Sequence, residues 1–443
     1  MASKVIKIKT ATLGPKKQPE ALPEAEALPE AEALPEAIPE VEQEQETLSE
    51  PEQPAVMSEA KAVPLAKNTQ TKLKSSAIME PVISKITEAN NILNFTLSNV
   101  NVSIANGLRR IASEIPVVIF RTTPYERNNA NFEINTTRMN NELLKQRLSC
   151  IPIFVDIDFP IKDYILVVDK QNKTNTVEYV TTADFTVVDL KTNQVDKNLT
   201  AKLFPPNPMT GDYPELVRLL PRVSENIEGE RILLKCKFDI GSAKEDSSFN
   251  VSSSLVYSNT LDPIKIKAAW AEKKTELAKT LNAAEIAFIE KDWHLLDAKR
   301  HFMPDSFDFM VETVGPLSNM AIITKASKLM LDKLKRLQDT IQGEPNVIAV
   351  SETTIPNSFD ITLKGEDYTL GKVIEYILYD IHYDKSLNYC GFRKPHPHID
   401  ESIIRLGFKN PTDKVTVVSY IVNAAAEGIR IYDKISKVFD VVE

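Results

Sequence analysis

Apolar residues recur at helical spacing in "SIANGLRRIASEIP", residues 103–116. Four of them fall on one helical face at steps of 4, 3 and 4: Ile104, Leu108, Ile111 and Ile115. Ser103 is a suitable N-cap, and Pro116 ends the helix. A strand is predicted to begin at residues 94–97, and the apolar "VVIF" after the proline predicts another short strand.

The stretch "NNELLKQRLSCIPIFV" repeats this arrangement. Its helical pattern consists of Leu143, Leu144, Arg147, Leu148 and Ile151, and Pro152 ends it. Two short helices therefore each close on Ile-Pro and lead into an apolar strand. This order predicts an α+β fold in which helices pack on one face of a sheet.

The pattern changes twice further along the chain. Residues 157–230 alternate apolar and polar positions between polar turns, which predicts an inserted β-rich subdomain. Residues 264–300 are rich in Ala, Lys and Glu and predict helix. Alternating Phe307, Phe309 and Val311 then predict a strand.

Two long helices are predicted, at about 318–341 and 412–440, each with a narrow apolar stripe. The first stripe consists of Ile323, Ala326, Met330, Leu334, Leu337 and Ile341. The second consists of Ile421, Ala425, Gly428, Tyr432, Ile435 and Phe439. Such stripes favour packing of helix on helix. The two helices could pair within one chain or drive a homodimer, and the pattern leaves both open.

These patterns predict five segments. They are an acidic Pro/Glu/Ala tail without a fold of its own (1–85), a larger domain in two pieces (86–156 and 231–341), the inserted subdomain (157–230), a linker (342–357) and a smaller domain (358–443). The linker is expected to supply reach rather than contacts. The tail repeats Leu-Pro every six residues from position 22 and serves either as a docking tail or as a solubilising extension.

Charge and composition narrow the function classes. The net charge is −9, and residues 1–60 carry 13 glutamates and five lysines, a balance of −8, so the remainder is near −1. This argues against a bulk binder of nucleic acid. Three separate cysteines give no disulfide framework. No run of 18 apolar residues and no signal peptide are evident, so no membrane association is predicted.

Candidate catalytic and cofactor motifs are weak. "GEDYTLGK" lacks the spacing of a phosphate loop, and Val373 replaces the Ser or Thr that would bind magnesium. His396 and His398, at i and i+2, could ligate zinc, but the prolines around them favour a structural turn. No cofactor or catalytic residue is therefore predicted.

Arg109 and Arg110 are adjacent in the first helix. One of them could reach Glu114 on the same helix. They can form a solvated basic spot, bind nucleic acid or anchor a protein interface. Binding of nucleic acid would need more positive charge and interleaved aromatic residues, which this part of the sequence lacks.

The chain resembles the α-like subunits of DNA-dependent RNA polymerase. "FTLSNVNVSIANGLRRIASEIP" and "NTTRMNNELLKQRLSCIPI" are similar to the two motifs of the larger subunit. The residues that match are Asn106, Leu108, Arg109, Arg110, Glu114 and Pro116, then Glu142, Arg147, Leu148, Ile151 and Pro152. Gly107 stands where the family usually has alanine, and Ser149 where it has glycine.

The second half resembles the small partner of that subunit. Its family motifs are Glu-Asp-His-Thr-Leu-Gly-Asn and a Tyr-Lys-x-Pro-His-Pro turn. The matching residues are Glu366, Asp367, Thr369, Leu370 and Gly371, then Gly391, Lys394, Pro395, His396 and Pro397. Tyr368 and Lys372 depart from the motif. The resemblance thus spans two motif sets in the expected order, over roughly residues 92–443.

The resemblance implies two α-like dimerisation modules paired within one chain. Its implied function is a non-catalytic assembly platform that docks the largest and second-largest polymerase subunits, and a small zinc-binding subunit is a further partner. DNA would be contacted only through the complex. Such fusions are associated with large cytoplasmic DNA viruses, which implies the host cytoplasm and the virion, or otherwise the compartment of transcription.

Within this resemblance, the interface candidates are Asn106, Arg109, Arg110, Glu114, Glu142, Arg147, Glu366, Asp367, Thr369, Leu370, Gly371, Lys394 and His396. The loop "GSAKEDSSFN" keeps Lys244 and Glu245, but Asp246 and Phe249 replace the usual His and Trp. Two other classes stay open: a stand-alone nucleic-acid-binding protein and a zinc-dependent enzyme using His396 and His398.

Overall fold

The structure is a computed structural model of the chain and describes residues 79–222, 224 and 227–440. The predicted acidic tail lies outside the described residues as far as position 78. Ordered structure then begins inside the predicted range 1–85, because the strand that starts at Val82 already pairs with Ser98.

The described strands follow one another in the chain as β1 (Val82–Ala89), β2 (Ile92–Ser98), β3 (Val117–Phe120), β4 (Ala130–Asn135), β5 (Tyr164–Gln171), β6 (Glu178–Thr181), β7 (Thr186–Asp189), β8 (Glu215–Leu219), β9 (Arg231–Gly241), β10 (Ser252–Leu261), β11 (Phe302–Thr313), β12 (Ile348–Val350), β13 (Ser358–Lys364), β14 (Leu387–Arg393) and β15 (Glu401–Phe408). The described α-helices are α1 (Val102–Ile111), α2 (Asn141–Ser149), α3 (Lys197–Leu203), α4 (Pro263–Leu277), α5 (Ala283–Leu295), α6 (Asn319–Gly343), α7 (Tyr368–His382) and α8 (Lys414–Asp440). The α+β prediction is confirmed.

Two four-stranded antiparallel sheets carry the two halves. The first has the order β1-β2-β11-β10, and the second has the order β12-β13-β15-β14. The inward residues of both sheets and one face of α1, α6, α7 and α8 form one continuous core. Phe95 on β2 stacks on Phe309 of β11 and meets the edge of Phe439 on α8, so aromatic packing joins the first sheet to the last helix.

The long helices α6 and α8 pair within the chain, which decides between the two alternatives left by their stripes. Gln338 on α6 donates to the carbonyl of Val422 on α8 at 2.9 Å. A Cβ built on Gly428 of α8 would lie 3.1 Å from a methyl group of Leu334. The stripes therefore bury one another intramolecularly, as knobs-into-holes packing requires.

The middle of the chain forms a sheet that crosses the predicted domain boundaries. Its strand order is β3-β9-β5-β7, with β4 also pairing β9. The inserted subdomain is predicted at residues 157–230, and β9, which lies outside that range, pairs with β5 inside it. Strand β9 buries Ile232, Leu234, Cys236 and Phe238 and so has the apolar content of a central strand.

The segment predicted as a linker supplies contacts as well as reach. Within residues 342–357, β12 pairs with β13, and Ile348 is opposite Ile361. Ile348 is buried in the main core. The expectation of a contact-free linker is therefore wrong for residues 348–350, because this short strand extends the second sheet.

Helix α1 begins two residues earlier than predicted. The N-cap is Asn101, whose side chain accepts a hydrogen bond from the Ser103 amide at 2.9 Å. The helix ends at Ile111 and continues as a 3₁₀ turn over Ala112–Glu114 before Pro116. The predicted apolar face is buried in full: Ile104, Leu108, Ile111 and Ile115.

Candidate functional site: the junction between the two halves

Helices α1 and α7 lie antiparallel at the centre of the junction. At the end of α1, Arg110 reaches the first turn of α7, where its Nε donates to Thr369 Oγ1 at 3.0 Å. Its Nη2 donates to Asp367 Oδ2 at 2.9 Å. At the start of α1, Asn101 lies beside Tyr376, two turns further along α7. The two motifs singled out in the sequence therefore meet across the junction.

Asp367 has two tasks at this contact. It is the N-cap of α7, since its side chain accepts from the Thr369 amide at 2.7 Å, and it also binds Arg110. Burial alone raises the pKa of Asp367, but the hydrogen bonds from Thr369 and the charge of Arg110 outweigh this, so the pKa lies below its ordinary value. The carboxylate is therefore held in the charged form that the cap and the arginine both require.

A buried cluster of charges lies next to this contact. The ammonium of Lys333 on α6 is 2.9 Å from Glu114 of the first half and 2.9 Å from Glu366 of the second. The Lys333 side chain is only 7% exposed. Burial lowers its pKa, yet the hydrogen bonds to Glu114 and Glu366 outweigh this and raise it above the ordinary value. Lys333 thus stays charged and links the halves.

Glu366 is the less completely compensated member of the cluster. Burial raises its pKa, and the hydrogen bond and charge of Lys333 only partly oppose this. Glu114 has a second partner, since Lys244 donates to it at 3.0 Å. The cluster therefore also ties the loop that contains Lys244 to the junction.

Arg109 differs from its neighbour. Its Nε donates only one turn back along the helix, to Asn106 Oδ1 at 3.0 Å, and both side chains are half-buried. Arg109 and Asn106 therefore face outward beside the junction, whereas Arg110 is used within the chain. Neither reaches Glu114, which is occupied by the two lysines.

The second sequence motif contributes inside the middle sheet region. Arg147 on α2 donates to the carbonyls of Leu216 and Glu215, at 2.6 and 2.8 Å, and so fixes β8. Glu142 lines an open surface cleft of about 630 Å³ together with Lys145 and Asp246. The structure does not bring Glu142 or Arg147 to the α1–α7 contact.

The remaining candidates of the second half divide into packing residues and an exposed turn. Leu370 is buried, and Gly371 packs so closely that an added Cβ would lie 2.0 Å from the ring of Phe392. His396 is exposed and accepts from the amide of His398 at 3.1 Å, while Lys394 is half-buried nearby. Within residues 79–222, 224 and 227–440, no three His, Cys, Asp or Glu side chains form a group that could hold a metal ion.

Sequence reasoning did not select two residues that shape the junction, Tyr432 and Lys333, as interface candidates, although it placed Tyr432 in the apolar stripe of the last helix. Tyr432 on α8 is fully buried and donates to the carbonyl of Ile104 at 3.0 Å. Its hydroxyl lies 2.5 Å from where a Cβ of Gly107 would be. Lys333 could have been found, because it lies three residues after Met330 and four before Leu337, within the apolar stripe.

Arg121, also missed, supports the loop that follows β9. Its guanidinium binds Asp239 at 2.5 Å and Glu245 at 2.6 Å, and it donates to the carbonyl of Ile240 at 2.7 Å. The retained Lys244 and Glu245 of this loop are thus both engaged within the chain, one with Glu114 and one with Arg121.

Comparison with known proteins identifies both halves. Residues 94–334, which are 241 of 443 positions, match the RNA polymerase Rpb3/Rpb11 dimerisation domain, and residues 358–438 match a second domain of the same description. The chain is 30% identical over 102 residues to a DNA-directed RNA polymerase subunit of Acanthamoeba polyphaga mimivirus, which is 23% of this chain and 26% of that protein. It is 24% identical over 273 residues to subunit Rpo3 of Pyrococcus furiosus, covering 56% of this chain and 93% of Rpo3. No described helix is long and apolar enough to span a bilayer.

Proposed function

Because the chain belongs to the family of RNA polymerase Rpb3/Rpb11 dimerisation domains, we propose that it is the assembly platform of a multisubunit DNA-directed RNA polymerase. One chain would supply both members of the α-like pair. The observation that supports this most is the junction itself, where Arg110, Lys333 and α8 join the two matched domains. Its work is to hold other subunits, and catalysis belongs to the assembled enzyme.

The platform presents two outer faces of different chemistry. Beside the junction, α1 shows Asn106 and Arg109, while α7 shows Tyr368 and Lys372. Two unlike faces suit two unlike partners, and we assign them to the largest and second-largest subunits. A small zinc-binding subunit is a further partner, and DNA is reached only through the complex.

The two adjacent arginines receive different roles in this proposal. Arg109 is the docking residue, since it is half-exposed and, among the residues that the structure describes, is bound only to Asn106. Arg110 is a junction residue. Loss of one partner from a desolvated ion pair costs about 2–5 kcal/mol of binding, a weakening of about 30-fold or more. The Arg110 contact is 37% exposed on the arginine side, so its loss costs about 1 kcal/mol of folding stability.

Matched variants test this division. The chain, Arg109→Ala and Arg110→Ala are each co-expressed with the two large subunits, and assembly is followed by size-exclusion chromatography alongside urea unfolding of the isolated chain. We expect Arg109→Ala to weaken assembly at unchanged stability and Arg110→Ala to lower stability. Full assembly with Arg109→Ala would show that Arg109 is not a docking residue.

The fusion has a physical rationale. A short tether turns the pairing of two subunits into an intramolecular event, at an effective concentration on the order of millimolar. Pairing then no longer depends on the supply of two separate proteins. The similarity to the mimivirus subunit supports a viral polymerase, working in the host cytoplasm and carried in the virion.

A further inference from the structure

Strand β10 is an open edge of the first sheet. The strand order is β1-β2-β11-β10, so among the described strands β10 has a neighbour on one side only. In an antiparallel pair, every second residue directs both its N–H and its C=O away from the neighbouring strand. Within the described part of the chain, no hydrogen bond from outside the sheet reaches the backbone of residues 253–260. The edge therefore offers a row of donors and acceptors to one further strand.

This edge lacks the features that normally prevent such pairing. Residues 252–261 read "SSSLVYSNTL" and contain no charged residue and no proline. The register shifts of β10 lie at its two ends, between Ser252 and Ser254 and between Asn259 and Leu261. Charged side chains, prolines and bulges are what protect the edges of natural sheets. The regular, uncharged centre of β10 is therefore able to accept a strand.

The other three edges of the two four-stranded sheets differ from β10. In β1, Lys85 has a φ of 53°, and the register shifts between Ser84 and Thr87. Strand β12 has only three residues. Strand β14 begins with a register shift and ends in Arg393. Each of these three edges is thus short, irregular or charged, whereas β10 is long, regular at its centre and neutral.

The side chains of β10 indicate what kind of strand would fit. Leu255 and Tyr257 pack against the main core but are only partly buried. On the opposite face of the strand, Val256 is 47% exposed. A neighbouring strand with apolar residues at alternate positions would cover Leu255 and Tyr257 and leave its other face in solvent. The edge therefore suits an extended segment with this alternation.

A second copy of the chain is the alternative occupant, and its contact area is too small. Ten residues at about 3.4 Å each give β10 an edge about 34 Å long, and a sheet is about 10 Å thick. Pairing of two such edges would bury roughly 340 Å² on each copy, whereas stable interfaces bury about 800 Å² on each partner. The added strand must therefore be part of a larger contact surface.

The surface proposed above for docking adjoins this edge. Helix α1 packs against β10 and β11, whereas α6 packs against β2 and β11, so α1 is the helix beside the open edge. Arg109 lies on α1, and the turn of 100° per residue directs it away from α7, to which Arg110 is bound. We propose that the large polymerase subunit that docks on Arg109 also adds an extended segment to β10, as the fifth strand of the first sheet. This inference rests on the proposed function.

Hydrogen–deuterium exchange, compared between the free chain and the polymerase purified through a tag on this chain, tests the proposal. We expect alternate amides of residues 253–260 to exchange at least tenfold more slowly in the polymerase. Unchanged exchange in a polymerase that contains both large subunits would overturn the strand addition and leave the proposed function intact. A chain recovered without large subunits would overturn the proposed function, and the strand addition with it.

Matched variants at Val256 separate strand pairing from simple coverage. Val256→Lys places a charge at the centre of the edge, whereas Val256→Thr keeps a β-branched, uncharged side chain. Both replace an exposed residue, so urea unfolding of the isolated chain should be nearly unchanged. We expect Val256→Lys to weaken assembly with the large subunits at least tenfold and Val256→Thr less than twofold. Equal assembly of the two variants, or slow exchange of the edge in a free chain that sediments as a dimer, would overturn the proposal.

A photo-crosslinker identifies the subunit that supplies the strand. Val102 is 46% exposed and lies four and seven residues before Asn106 and Arg109, on the same face of α1. Val102→p-benzoylphenylalanine and Val256→p-benzoylphenylalanine are irradiated separately in the assembled polymerase. We expect both probes to mark the same large subunit. Marking of two different subunits would overturn the proposal, because the docking partner would then not be the strand donor.

Discussion

Gly107 on α1 is the position where the junction is tightest, and Gly107→Ala tests its packing. An added Cβ would lie 2.5 Å from the hydroxyl oxygen of Tyr432 and 3.0 Å from a methyl group of Val373. Tyr432 cannot withdraw freely, because it is fully buried and its hydroxyl donates to the carbonyl of Ile104. The glycine and the tyrosine therefore form a matched pair across the two halves.

Two opposing effects determine how much Gly107→Ala changes the free energy of unfolding. Alanine is favoured over glycine inside a helix by about 1 kcal/mol. Overpacking of a full core costs about 1–3 kcal/mol. Gly107→Ala should therefore lower the free energy of unfolding by up to about 2 kcal/mol, although the same change normally stabilises a helix. Gly343 near the end of α6 has open space around it and is the matched control, because Gly343→Ala there should not destabilise.

Removing the hydroxyl of Tyr432 should reverse the sign of the effect that Gly107→Ala has on the free energy of unfolding. Tyr432→Phe alone costs about 1 kcal/mol for the lost hydrogen bond. In that background only the Val373 contact remains close, so Gly107→Ala should become neutral or stabilising. Urea unfolding of the four proteins gives the coupling energy, expected at about 1–2 kcal/mol. An equal effect of Gly107→Ala in both backgrounds would refute the packing argument.

The other predictions concern the buried charges and the segment between the halves. Lys333→Met should lower the free energy of unfolding by about 3 kcal/mol, because two carboxylates lose their buried cation, whereas Lys335→Met on the exposed side of α6 should change it by less than about 0.5 kcal/mol. A carboxyl group whose pKa is higher in the folded than in the unfolded state stabilises the folded state as the pH falls, and loss of the Lys333 ammonium raises the pKa of Glu366 further. The loss of unfolding free energy caused by Lys333→Met should therefore be smaller at about pH 5 than at about pH 7. The same loss at both pH values would contradict this. Ile348→Ser should lower the free energy of unfolding by about 2 kcal/mol, because Ile348 is buried in the core. A Gly-Ser insertion after Glu352, in the loop beyond β12, should leave the free energy of unfolding nearly unchanged. Equal effects of the two changes would mean that β12 adds no stability.

The long helices and the burial of the α1 face were predictable from the sequence, because a one-sided apolar pattern is local. Helices predicted at about 318–341 and 412–440 are observed at Asn319–Gly343 and Lys414–Asp440. The membership of β9 in the middle sheet was not predictable, since strand pairing is decided by partners far away in the chain. The same holds for the contact-forming β12.

The side-chain partners across the junction could not be predicted from the sequence either. Arg110 and Asp367 are separated by 257 positions, and nothing near either residue identifies the other. The sequence motifs nevertheless selected both residues as interface candidates. What they could not show is that the interface of Arg110 lies within the chain, leaving Arg109 to face outward.

In the proposed function, one copy of this chain replaces a two-subunit platform. Native mass spectrometry of the polymerase purified through a tag on this chain tests it most directly. We expect one copy of the chain for each copy of the largest and second-largest subunits. Two copies of the chain per polymerase, or a chain recovered without large subunits, would contradict it.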